Sequence, residues 1–121
     1  WLYPTGEAQQ KRTPRFSKYF LENDIIAGDF HFIRKFMPDT LPEKTIITNT
    51  VTGDDRAMLK KAGVKLLITT TPCLEGRSFG TNVMEAMLVA VKGAQAPLTA
   101  AEYIDLLEEY KIESSIEYLN T

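Results

Sequence analysis

The chain has 121 residues, 44% of them hydrophobic, with 14 Lys plus Arg against 16 Asp plus Glu. That is the size of one domain with a core to bury, not of a disordered tail. The slight acidic balance argues against a phosphate-backbone binder. The single Cys excludes an internal disulfide and a multi-cysteine zinc site, and no apolar run reaches the roughly 18–20 residues that span a bilayer. The expected setting is therefore cytoplasmic, with neither nucleic acid nor membrane as partner. The chain starts at Trp1 without a signal sequence, and we read it as the C-terminal part of a longer protein.

Residues 1–13 lack a sustained period and carry Pro4 and Gly6, which marks a linker or docking segment. Thr13-Pro14 reads as a helix start, with Thr as N-cap and Pro at the first helical position; Phe16, Tyr19 and Phe20 follow at helical spacing, so a helix is predicted over 14–22. From Asp24 a β–α alternation sets in. Ile25-Ile26-Ala27 is a short apolar run stopped by Gly28-Asp29, and a helix over 30–37 ends before Pro38. Thr45-Ile46-Ile47-Thr48 is the second run. A helix over 53–62 follows it, with Thr52 as cap and Gly63 just beyond its end. Val64 to Thr71 is the third run, closed by Pro72. After a polar loop over 73–80 comes the longest helix, with Val83, Met84, Met87, Leu88 and Val91 as its expected buried stripe and Gly93 as its stop. Thr99 and Glu102 have capping-box spacing, predicting a helix to about Tyr110, and residues 115–119 read as a last strand at an edge. Near-continuous apolar strands alternating with helices indicate a parallel sheet covered on both faces. The expected class is α/β: a Rossmann-like three-layer αβα domain spanning 1–121, with a short, mainly parallel sheet of at least three strands, half of a doubly wound domain.

In open α/β sheets ligands bind beyond the carboxyl ends of the strands. That edge gathers Gly28-Asp29-Phe30-His31, Thr48-Asn49-Thr50 and Thr70-Thr71-Pro72, overhung by the loop with Arg77, Ser78, Thr81 and Asn82. Asp29 and His31 are the candidate acid–base pair, an imidazole oriented by a carboxylate. The competing role for Asp29 is N-cap of the following helix. Asn49, Thr50, Thr71, Arg77, Ser78, Thr81 and Asn82 are candidate cofactor contacts. A Gly-rich turn running into a helix N-terminus attracts an anion, and Arg77 offers a bidentate contact; Ser78 or Thr81 as a plain helix cap is the alternative. One His and one Cys form no metal cluster. Arg34 and Lys35, with Lys11, Arg12 and Arg15, read as a solvated basic face, and Met84, Tyr103 and Tyr110 as packing residues. There is no G-x-G-x-x-G, no Walker lysine loop and no G-x-S-x-G elbow.

The segments Trp1 to Gly6, Ile26 to Arg34, Ile46 to Thr50, Thr69 to Pro72 and above all GRSFGTNV, Gly76 to Val83, resemble the C-terminal portion of a bacterial family labelled quinate 5-dehydrogenase or shikimate/quinate dehydrogenase-like. The resemblance implies a Rossmann-like domain, use of NAD or NADP, and hydride exchange with a hydroxyl of a polar hydroxy-acid. The Lys and Asp pair that characterises shikimate dehydrogenases has no matching motif here. Three roles are thus weighed. The chain is the second half of such a dehydrogenase, inactive alone and partnered by its upstream half; or a non-catalytic domain binding a small polar or anionic metabolite; or a structural, dimer-forming domain whose apolar Trp1, Leu2 and Tyr3 segment docks on a second subunit.

Overall fold

A computed structural model describes residues 11–74, 77–78 and 80–121, with the backbone alone at 73–74 and 77–78. The β-branched runs form β1 (Ile25–Ala27), β2 (Thr45–Thr48) and β3 (Leu66–Thr69), joined in parallel in that order. β6 (Ser115–Tyr118) adds antiparallel to β3, giving a four-stranded open sheet, β1-β2-β3-β6. The helices among the described residues are α1 (Ser17–Glu22), α2 (Phe30–Phe36), α3 (Gly53–Ala62), α4 (Thr81–Lys92) and α5 (Ala100–Glu109). This is a mixed α/β architecture with a mainly parallel sheet, compatible with a small αβα fold. A short antiparallel ribbon, β4 (Cys73–Leu74) with β5 (Arg77–Ser78), occupies the stretch read as a plain polar loop. No helix among the described residues is long and apolar enough to cross a membrane.

Caps explain where the helices begin and end. The Asp29 side chain accepts from the His31 N–H at the start of α2, and α2 stops one residue short of Met37-Pro38, where the proline disfavours helix at the residue before it. Thr52 and Asp55 form a reciprocal capping box on α3, and Gly63 closes that helix with φ 94°, a left-handed conformation suited to glycine. Gly93 ends α4 in the same way, at φ 67°. Thr99 accepts from the Glu102 N–H at the start of α5. The first helix departs from expectation. It starts at Ser17, after Phe16 in a left-handed conformation with no side-chain cap. Thr13 and Arg15 instead donate their N–H groups to Lys35 O and Phe36 O. The orphan carbonyls at the end of α2 thereby hold residues 13–15 outside any helix, and Arg12 completes the strap by donating to Arg34 O, Met37 O and Asp39.

The core lies on one face of the sheet. Ile26, Ile46 and Leu67 are register partners and point the same way. Against them pack Phe30 and Ile33 of α2, Leu59 and Ala62 of α3, and the connecting residues Met37, Leu41, Val51 and Val64. Glu117, next in that row on β6, accepts from Arg56 of α3 at 2.9 Å. The opposite face is not buried as expected: Ile25, Ile116 and Tyr118 are 59%, 64% and 71% exposed, and β2 and β3 alternate buried with half-buried residues. The strand order explains this. β1, β2 and β3 advance in one direction, and right-handed crossovers then place α2 and α3 on the same side.

Two further expectations are corrected. Only Met84 and Leu88 of the α4 stripe are buried; Val83, Met87 and Val91 are 45–56% exposed, because α4 lies outside the core cluster and packs along a narrower line. The basic face is partly consumed: Arg34 pairs with the buried Asp55 of α3, and Arg12 with the end of α2.

Candidate functional site

The carboxyl ends of β1 and β2 meet the start of α4 around a cavity of about 460 Å³ lined by Asp29, His31, Asn49, Thr50 and residues 80–83. Six sequence-predicted site residues therefore converge: Asp29, His31, Asn49, Thr50, Thr81 and Asn82. The floor is a latch between strand ends. Asp29 accepts from the His31 N–H at 2.9 Å with one carboxylate oxygen and from Asn49 Nδ2 at 3.0 Å with the other. Asn49 Oδ1 accepts from the Phe30 N–H at 3.2 Å, and Thr48 Oγ1 donates to Gly28 O at 2.7 Å. Asp29 thus serves as the α2 cap, and each of its oxygens already accepts a donor. It meets His31 through the backbone.

The roof is the first turn of α4. Gly80 is its N-cap and has no side chain to cap the helix, so Thr81 is not the N-cap; the Ser78 alternative lies outside the described residues. A Cβ built on Gly80 would stand 3.5 Å from Thr50 Oγ1, which sets the helix start close against the end of β2. The Val83 and Met84 N–H groups turn to Gly80 O; those of Thr81 and Asn82 precede the first intrahelical acceptor. The helix dipole adds partial positive charge at this turn.

Thr71 is buried, 5% exposed, and accepts through its carbonyl from Thr69 Oγ1 at 3.0 Å. It lines not this cleft but a second cavity of about 350 Å³ between the end of β3, α4 and α5. The side chains of Arg77 and Ser78 lie outside the described residues. Among the described residues no three of His, Cys, Asp and Glu gather into a metal-holding group.

The second cavity was missed in the sequence because its parts read as packing. Met84 and Leu88 on α4 face Tyr103 and Leu107 on α5, each pair at i, i+4 spacing, and Ile112 and Thr70 to Pro72 close the ends. Tyr103 Oη donates to Glu85 Oε1 at 3.1 Å across its wall. Desolvation, reinforced by the hydrogen bond and charge of Glu85, raises the Tyr103 phenol above its ordinary value.

A family model described as a domain of unknown function, DUF8754, matches residues 1–119. No curated protein and no solved structure matches the chain. The segments that carried the dehydrogenase resemblance all lie within the matched span, and no relative's name supports quinate or shikimate dehydrogenase. That assignment is corrected accordingly.

Proposed function

We propose, from the premise that the chain belongs to the DUF8754 family, that it is a non-catalytic cytoplasmic module binding a small anionic metabolite where β1 and β2 end and α4 begins. One observation carries this reading: the α4 N-terminus, whose N-cap Gly80 has no side chain to cap it, opens onto a cavity of about 460 Å³ also lined by Asn49, Thr50 and His31. Backbone N–H groups at a helix start bind phosphate or carboxylate. The nearby Asp29 opposes an anion less than a bare carboxylate would, since both its oxygens accept hydrogen bonds. A phosphate of a nicotinamide dinucleotide is one carrier of the required group. Hydride transfer stood on the corrected resemblance, whereas the arrangement of side chains supports binding.

The test is a titration with inorganic phosphate, followed by amide and imidazole resonances. Saturable shifts are expected at Thr81, Asn82 and His31. Asn82→Asp places a negative charge in the first turn of α4. It should stabilise the helix by about 0.3–1 kcal/mol while lowering phosphate affinity about tenfold, the equivalent of about 1.4 kcal/mol. An unchanged affinity in a folded Asn82→Asp variant retires the anion site. NAD and NADP titrated alongside decide between a dinucleotide and a simpler anion.

A further inference from the structure

The second cavity has a chemistry of its own. Its floor is apolar: Met84 and Leu88 are 6% and 4% exposed, with Leu107 and Ile112 opposite. Its volume of about 350 Å³ falls among small-molecule sites, which are mostly apolar with a few fixed polar groups. The polar groups are unevenly signed. Glu85 supplies a carboxylate, Tyr103 an aromatic side chain whose hydroxyl is bonded to that carboxylate, and Thr70, Thr71 and Thr81 supply hydroxyls, while among the described residues no Lys, Arg or His lines the cavity. A carboxylate hydrogen-bonded to a tyrosine hydroxyl is matched by a cation through a charge-assisted hydrogen bond, and an aromatic ring lining the same cavity adds cation–π attraction. The apolar floor is matched by a hydrocarbon body.

We propose that this cavity is a binding site for a small amphipathic amine, its ammonium group held by Glu85 and the Tyr103 ring and its apolar body against Met84, Leu88, Leu107 and Ile112. The raised Tyr103 phenol fits the assignment: it stays a neutral donor to Glu85 and adds no second negative charge. Glu85 is exposed at the wall and retains a second carboxylate oxygen as an acceptor for the ligand. The site shares Thr81 with the anion cleft but none of its chemistry, so either proposal can fail without the other.

Benzylamine and benzyl alcohol are the probes, differing in the charged group and not in the ring. Titrated into the full chain, benzylamine should bind saturably, with methyl shifts at Met84, Leu88 and Leu107, and about tenfold more tightly than benzyl alcohol. Glu85→Gln should abolish that preference and leave the alcohol's affinity unchanged. Tyr103→Phe, which keeps the ring and releases Glu85, should retain the preference. Equal affinity for amine and alcohol, shifts scattered over other carboxylates, or a benzylamine affinity indifferent to Glu85→Gln each overturns the assignment.

Discussion

Asp55 is the residue on which the join between α2 and α3 depends. One carboxylate oxygen pairs with Arg34 Nη1, and the other accepts from both the N–H and the hydroxyl of Thr52 at 2.9 Å. Its side chain is 7% exposed and that of Arg34 is 22%, and Arg34 Nε, buried, has no partner among the described residues. Truncating Asp55 therefore leaves a guanidinium with little water to replace its partner. Breaking a buried pair from one side costs about 3–5 kcal/mol, and the partial exposure of Arg34 puts Asp55→Ala near the lower end, at about 3 kcal/mol. Thr52→Ala removes the cap and the hydroxyl's bond to Asp55 but leaves the ion pair, at about 1 kcal/mol. Urea denaturation of both variants checks the order. A cost for Asp55→Ala no larger than that for Thr52→Ala would mean that solvent screens the pair.

At the scale of elements, two glycines separate conformational strain from crowding. Gly63 and Gly93 both end helices in left-handed conformations, but a Cβ on Gly63 would lie 3.2 Å from Pro42 Cα, whereas one on Gly93 meets nothing within 4 Å. Gly93→Ala should cost the left-handed strain alone, about 1–2 kcal/mol, and Gly63→Ala measurably more, because a backbone atom of Pro42 must move. Equal losses on thermal denaturation would place the whole penalty in the dihedral angles. These same helix ends were legible in the sequence because they depend on local chemistry: Thr52, Gly63, Gly93 and Thr99 act on neighbours within a few residues. The start of α1 was not, because the carbonyls that claim residues 12–15 belong to the far end of α2. The polar cleft was legible through strand ends, which the fold places on one edge whatever the side chains. The amine cavity was not, because Met84, Leu88, Tyr103 and Leu107 have the same spacing whether two helices close fully or leave a gap.

At the scale of the molecule, the chain divides its stability unevenly. The core cluster draws on residues between Phe30 and Leu67 and on Leu119; Met84, Leu88 and Leu106, the buried residues of α4 and α5, are not part of it. Residues 70–114 form an excursion between β3 and β6, whose ends are register partners at Thr69 and Ser115. Beyond β6 the chain is tied again to the core, with the Leu119 N–H on Lys65 O and Asn120 Nδ2 on Lys60 O and Val64 O. The excursion can therefore open while both anchoring strands stay paired, and loop entropy favours that opening over global unfolding. Native-state hydrogen exchange should show the slowest amides in β2, β3 and α3 and a lower opening free energy across α4 and α5. Both proposed ligands touch α4. Each should raise the protection of that unit by RT ln(1 + [L]/Kd), about 1.4 kcal/mol at ten times Kd, with benzylamine also protecting α5. Equal protection of α3 and α4 in the free chain would show one cooperative unit instead, and a ligand would then slow exchange everywhere alike.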